Sequence, residues 1–281
     1  MEYRELYNGV KIPMLGYGVF QIPDHEEAKK SVATALKNGY RLIDTAQAYL
    51  NETAVGEAIK ESGIPREEIF ITTKVWVQDY SYEKTIKAVE LSLERLGVDY
   101  IDLMLLHQSI GDYINAWKAL EKLYKEGKLR AIGMANCYPH VIADLCLTFE
   151  IKPMINQVEL HPFFQQQLNL DTMKEYGVVP EAWGPFNEGK RNLFTDPILT
   201  VIGKKYNKTA AQVALRWNIQ RGVIVIPKSV REERMQQNMD VFDFELSQED
   251  MDQIKTMDIG HSEIVNHFDP EFVKMLHNHK V

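Results

Sequence analysis

Leu15-Gly16-Tyr17-Gly18-Val19-Phe20-Gln21 is the stretch on which the fold turns. Two glycines one residue apart, set in a short apolar run, look like the start of the Gly-x-Gly-x-x-Gly turn of an open, doubly wound α/β sheet. Gln21 stands where the third glycine would be. The chain therefore lacks the residue that lets the first helix of such a sheet pack closely on its first strand. The run reads instead as a short strand of a different parallel architecture.

Upstream lies Leu6-Tyr7-Asn8-Gly9-Val10-Lys11-Ile12. Asn-Gly between short apolar stretches signals a hairpin, because both residues tolerate positive φ at the centre of a tight turn. Downstream, apolar and β-branched runs recur at 41–44, 69–75, 101–106, 130–134, 154–158, 178–183 and 223–226, and with 15–20 they make eight. Helical spacing fills the gaps: Ile86, Val89, Leu93 and Leu96 mark one apolar face, and Tyr113, Trp117, Leu120 and Tyr124 another. Asn38-Gly39, Gly97 and Gly127 end helices as C′ residues. Strand–helix alternation requires parallel strands joined by right-handed crossovers. Eight such units in about 280 residues is the size of a closed barrel. The expected fold is α/β, a single (β/α)8 TIM barrel with an N-terminal β-hairpin cap, one domain over residues 1–281.

Of the 281 residues, 45% are hydrophobic and 26% charged, which fits a globular chain. A net charge of −8 argues against a general nucleic-acid or anionic-membrane partner but leaves room for a local basic site. Cys137 and Cys146 form no Cys-x-x-Cys, so no metal site is expected, and free thiols suit a reducing compartment. The opening Met1-Glu2-Tyr3-Arg4-Glu5 is charged where a signal peptide needs an apolar stretch. No run approaches the ~20 apolar residues of a membrane span. These features together predict a cytoplasmic protein.

A parallel barrel gathers its site at the C-terminal ends of its strands. The residues that end or follow the strands here are Asp44, Lys74, His107, Asn136, Gln157, Trp183 and Lys228, with Tyr49 in the loop after Asp44. Each alone has an ordinary reading: Asp44 as a helix N-cap, Lys74 as a solvated cation, His107 as a satisfied core histidine, Tyr49 as surface packing. Together they suit one chemistry. A phenol of pKa near ~10 is a poor acid at neutral pH. A buried ammonium beside it lowers that pKa, and a carboxylate holds the ammonium charged. A neutral imidazole can then orient a carbonyl oxygen, so the set suits carbonyl reduction. Gly-x-Ser-x-Gly, His-Glu-x-x-His and Gly-x4-Gly-Lys-Ser/Thr are all absent.

At these residues the chain resembles the aldo-keto reductases. The blocks are Gly39-Tyr40-Arg41-Leu42-Ile43-Asp44-Thr45-Ala46 with Tyr49, Thr72-Thr73-Lys74-Val75-Trp76, Leu105-Leu106-His107, Gly127-Lys128-Leu129-Arg130-Ala131-Ile132-Gly133, Asn156-Gln157-Val158-Glu159 with His161-Pro162, and Ile226-Pro227-Lys228-Ser229-Val230. The resemblance implies a monomeric NADPH-dependent reductase of a small-molecule carbonyl, similar to short-tailed diketogluconate and prostaglandin-type reductases. It implies Tyr49 as general acid, Lys74 as its pKa modifier, Asp44 as partner of Lys74, and His107 as the carbonyl-orienting group. It places the nicotinamide carboxamide at Asn136 and Gln157, the ring on Trp183, and the pyrophosphate under a loop beginning Gly184-Pro185-Phe186. Lys228, Ser229 and Arg234 fall at the 2′-phosphate, and Gln237 and Asn238 at the adenine side. Val19 and Phe20 come beside the cofactor, and Phe20, Trp76 and His107 line the substrate pocket.

Four departures concern selectivity and cofactor contacts. Leu50 replaces a common glycine, Gln108-Ser109 replace Trp-Pro, Ala135 and Cys137 flank the asparagine, and Gln237 replaces a carboxylate. The tail histidines His267, His277 and His279 read as surface residues. The alternative function is a catalytically weak NADPH-binding regulatory or scaffold barrel.

Overall fold

A computed structural model describes residues 1–281. The hairpin forms from β1 (Tyr3–Glu5) and β2 (Lys11–Pro13), antiparallel with Arg4 opposite Ile12. Its connection is longer than a two-residue turn: Leu6 N donates to Val10 O at 2.8 Å, and the Asn8 side chain accepts from Val10 N at 3.2 Å. Only Gly9 takes a positive φ, +84°. Asn8 therefore acts through its side chain, as an Asx turn, rather than through a left-handed backbone. The hairpin borders a cavity of ≈ 430 Å³ whose other walls include Arg41, Phe70, Asp102 and Arg130, near the starts of strands.

Eight parallel strands follow in sequential order: β3 (Tyr17–Gly18), β4 (Leu42–Asp44), β5 (Phe70–Val75), β6 (Ile101–Leu106), β7 (Leu129–Ala135), β8 (Ile155–Glu159), β9 (Val179–Trp183) and β10 (Ile224–Val225). Every residue of β4, β5 and β6 is buried, as expected of a parallel sheet covered on both faces. The sheet curls until Leu15 bridges in parallel to Val225, with Gly16 N donating to Val225 O at 2.8 Å and Val225 N to Met14 O at 3.0 Å. The two glycines of the opening stretch explain the closure. A Cβ on Gly18 would lie 2.9 Å from the Ile226 carbonyl oxygen, and one on Gly16 would lie 2.5 Å from Leu42 Cγ. They are glycines because the seam brings backbone and core side chains this close.

One helix covers each of the first six crossovers: α1 (His25–Lys37), α2 (Glu52–Glu61), α3 (Tyr82–Leu96), α4 (Tyr113–Lys125), α5 (Pro139–Thr148) and α6 (Gln167–Tyr176). In α3 the Ser81 side chain caps the start, Val89 and Leu96 lie on the buried face, and Gly97 in the left-handed region ends it. The β9–β10 connection holds two helices, α7 (Pro197–Tyr206) and α8 (Ala210–Gln220). After β10 come α9 (Glu232–Met239), α10 (Gln248–Lys255) and α11 (Pro270–Asn278). Buried Asp250 ties α10 to α7 by accepting from Lys205 Nζ at 2.6 Å and from the Tyr206 hydroxyl. No helix is long and apolar enough to cross a membrane.

Candidate active site

Asp44 closes β4, and Lys74 sits near the end of β5, so both point into the barrel close to its mouth. Lys74 is wholly buried. Its Nζ donates to Asp44 Oδ1 and Oδ2 at 2.7 and 2.8 Å, to Thr45 O at 2.9 Å and to the Tyr49 hydroxyl at 3.3 Å. An ammonium taken out of water needs this many acceptors. Burial alone would lower the Lys74 pKa, but the Asp44 carboxylate outweighs it and holds the pKa above its ordinary value.

Tyr49 ends a short 3₁₀ turn, Gln47–Tyr49, that leaves β4. Gln47, a buried residue the motifs did not single out, pins this turn. Its amide nitrogen donates to Ala88 O at 2.8 Å and Ser92 Oγ at 2.9 Å, and its oxygen accepts from Trp76 N at 3.1 Å. Leu50 follows with φ +57° and is 65% exposed. A left-handed leucine is strained by roughly 1 kcal/mol or more, and this one has little packing to offset it. Leu50→Gly is therefore expected to stabilise the fold by roughly 0.5 kcal/mol, the relieved strain being partly offset by the unfolded-chain entropy that glycine adds, read as a higher urea midpoint at unchanged slope.

Burial of the Tyr49 phenol pushes its pKa up, and Lys74 only partly pulls it back. The sequence-based expectation of a lowered pKa is thus reversed in the protein alone, because desolvation of a phenolate exceeds the help of one ammonium shared with Asp44. His107, just past β6, packs edge-on to Tyr49 and Trp76, with ring centroids 5.7 and 5.0 Å away. Its pKa is driven well below the usual value by burial, then by the Lys74 and His279 charges, so the ring is neutral at physiological pH. Its Nδ1 is buried without a protein partner.

Gln157 on β8 donates through one amide nitrogen to Asp44 Oδ2 at 2.7 Å and to Glu181 Oε1 at 2.8 Å. Only its carbonyl oxygen is left to meet a carboxamide. Glu181 on β9 is wholly buried, and no motif singled it out. Its signal was present: it lies two residues before Trp183, on the same face of the strand, as the sole charged residue of an apolar run. Burial, then the Asp44 charge, pushes its pKa up to about 8. Asn136 adopts φ +56°, donates to His107 O at 3.0 Å and accepts from the Trp183 indole N–H at 2.9 Å. The half-buried Trp183 ring is thereby fixed at the mouth, with Val19 buried and Phe20 52% exposed against Tyr49.

Gly184 takes φ +58°, Pro185 is buried, and Phe186 packs on Phe194. The loop continues through Asn187, Glu188, Arg191 and Asn192, all at positive φ. Glu263 holds it, accepting from Arg191 Nε at 2.7 Å and Asn187 Nδ2 at 3.3 Å. Beyond β10, Ser229 is buried, its carbonyl bonded to the Tyr17 hydroxyl at 2.7 Å. Lys228, Arg231 and Arg234 are exposed and form no salt bridge. Gln237 is exposed while Asn238 is buried in the inner face of α9.

The C-terminal segment closes one side of the mouth. His267 is not a free surface residue: Nε2 meets Gln108 Oε1 at 2.9 Å, and Nδ1 meets the Tyr138 hydroxyl at 3.2 Å. Trp76 Nε1 donates to His279 O at 2.8 Å, with the two rings 5.4 Å apart. Gln78 and Val281 exchange two hydrogen bonds, of 2.8 and 3.1 Å. Gln108, where a tryptophan is common, thus takes up a tail histidine instead. Asn136, Trp183, Val265, His267 and Phe268 border a cavity of ≈ 290 Å³. No group of three or more His, Cys, Asp or Glu side chains is placed to hold a metal ion.

The arrangement joins a phenol, an ammonium and a neutral imidazole at the rim of a barrel, which can donate a proton to an oxygen held there. The model of the Aldo/keto reductase family matches residues 14–259. Glyoxal reductase of Bacillus subtilis (strain 168) is 53% identical over 254 residues, covering 90% of this chain and 91% of that protein. An aldo-keto reductase enzyme from a Medee basin deep-sea metagenome library superposes with TM-score 0.92 at 43% identity, over 95% of this chain and 98% of that one. A Bombyx mori aldo-keto reductase crystallised in complex with NADP superposes with TM-score 0.90 at 32% identity, over 96% of each chain. The family match runs from the barrel seam to just past α10, and the chain belongs to the aldo/keto reductase family.

Proposed function

We propose that this protein is an NADPH-dependent reductase of aldehydes and ketones, acting on small α-dicarbonyl or keto-sugar type substrates. The contact of Lys74 Nζ with the Tyr49 hydroxyl and with both oxygens of Asp44 supports this reading most directly. The relative named for glyoxal reduction and the NADP-bound neighbour point the same way. When bound, NADPH supplies the hydride that reaches the carbonyl carbon. The donor set suits it: a fixed indole at Trp183 for a flat ring, and unpaired Lys228, Arg231 and Arg234 for a phosphomonoester.

Each side chain then has one task. Neutral His107 donates to the carbonyl oxygen and orients it against Tyr49. The Tyr49 hydroxyl delivers its proton to that oxygen as negative charge develops there. Lys74, held charged by Asp44, stabilises the phenolate left behind, an effect made large by its exclusion from water. The raised pKa of Tyr49 keeps the phenol protonated before reaction, ready to donate. Phe20 and Trp76 wall the pocket and keep solvent from the developing charge.

NADPH oxidation followed against a panel of aldehydes and α-dicarbonyls tests the proposal. Turnover of short dicarbonyls is expected; tight NADPH binding with no turnover of any compound would instead support a regulatory barrel. Lys228→Ala should weaken NADPH binding about tenfold while leaving NADH binding little changed, since one exposed cation–phosphate contact contributes roughly 1–1.5 kcal/mol. Titration with both nucleotides by fluorescence reads the difference, and equal losses would refute the assignment of Lys228 to the 2′-phosphate.

A further inference from the structure

The roles given to Asp44, Tyr49, Lys74 and His107 leave Glu181 unaccounted for. Its carboxyl is fully buried in the barrel, below Trp183 on β9. One oxygen accepts from Gln157 at 2.8 Å; the other, Oε2, is buried with no protein partner. The same Gln157 nitrogen reaches Asp44 Oδ2 at 2.7 Å, so two carboxyl groups share one amide. The groups that bear on them are few. β4 contributes Asp44, β5 contributes Lys74, and the turn after β4 contributes Tyr49. The other neighbouring strand, β10, is flanked by and made of apolar residues, Val223 to Ile226. Lys74 is the only cation, and its short contacts go to Asp44. One ammonium cannot support two ionised carboxylates in a medium that solvates them poorly.

We propose that Glu181 is a positioning residue of carbonyl reduction, acting on Tyr49 through Gln157, Asp44 and Lys74. The inference rests on the reductase reading above. While Glu181 carries its proton, Lys74 and Asp44 balance each other, and charge building at Tyr49 meets the Lys74 ammonium at 3.3 Å with no further carboxylate opposing it. Once Glu181 ionises, a second carboxylate opposes that charge, and proton delivery from Tyr49 slows. Glu181 itself exchanges no proton with the substrate. It determines the pH above which Tyr49 ceases to be an effective acid.

Two measurements on the full chain test this. The first is the single-turnover rate of carbonyl reduction, with NADPH preloaded, in wild type and Glu181→Gln, an isostere of the protonated acid. The wild-type rate should fall through a step near the Glu181 value of about 8. The ratio of variant to wild-type rate should rise about tenfold between about pH 6 and about pH 9. The second is thermal unfolding of the protein without nucleotide or substrate, a readout independent of any reductase activity. A carboxyl whose pKa is raised by folding releases its proton more easily when unfolded, so its stability contribution is lost as pH climbs from the unfolded to the folded value. The Tm advantage of Glu181→Gln should therefore be smallest near the unfolded value of 4.5 and grow until about 8.

Glu181→Leu, which also removes the titrating group, should lose the same alkaline step if the glutamine variant folds poorly. Coincident rate profiles for wild type and variants would overturn the proposal, even if the Tm difference appears, because Glu181 would then be buried without acting on Tyr49. A pH-independent Tm difference would also overturn it. Failure of the reductase reading itself would show separately, as absence of turnover in both proteins.

Discussion

Tyr49→Phe is expected to reduce the single-turnover rate of carbonyl reduction by about 10²–10⁴-fold while NADPH still binds. The substitution removes one oxygen and keeps the ring that packs on Phe20 at 5.0 Å and edge-on to His107 at 5.7 Å. Lys74 loses its longest contact, at 3.3 Å, and retains both Asp44 oxygens and the Thr45 carbonyl. The fold and the neighbouring mouth therefore have no reason to change. What is lost is the only hydroxyl that combines proximity to the Lys74 ammonium with access to the rim. Rapid-mixing NADPH oxidation measures the rate, and nucleotide fluorescence measures binding. Wild-type turnover in this variant would remove Tyr49 from the mechanism.

Lys74→Met should affect stability as much as chemistry. It leaves Asp44 as a buried carboxylate with only Gln157 as a donor, and breaking one side of a buried pair costs about 3–5 kcal/mol. The same change withdraws the charge that makes the Tyr49 proton available, so reduction should fall with it. Asp44→Asn combined with Lys74→Met separates the two effects. With neither charge buried, most of the stability should return, as replacing a whole buried pair by neutral groups is close to neutral. Activity should not return. Urea midpoints report stability, and turnover of a dicarbonyl reports chemistry. A double variant as unstable as Lys74→Met would show that packing, rather than unpaired charge, causes the loss.

At Gln108 the tail supplies a replacement for the residue of the family pattern that is missing here. Gln108 stands where an aromatic wall is common, yet its side chain meets His267, and Trp76 is bridged to His279 from the same segment. The mouth is walled from the C-terminal segment instead. Nothing local to residues 267 or 279 could reveal this, since the contacts span 159 and 203 residues of sequence.

Periodicity and punctuation determined the barrel. Runs of apolar residues alternating with amphipathic stretches specify parallel strands and crossovers, because an unburied apolar face has no other stable arrangement. The end of each strand is likewise a local feature, so Asp44, Lys74 and His107 could be read as members of one rim before any distance was known. The tertiary structure decided what depends on residues far apart in the chain. It set the purpose of Gly16 and Gly18, which is close approach at the barrel seam rather than a phosphate turn. It revealed Gln47 as the pin of the turn that carries Tyr49 and Glu181 as a second interior carboxyl. It also fixed the direction in which Tyr49 and His107 titrate, because a pKa depends on burial and on neighbouring charges. Only the closed barrel sets those neighbours.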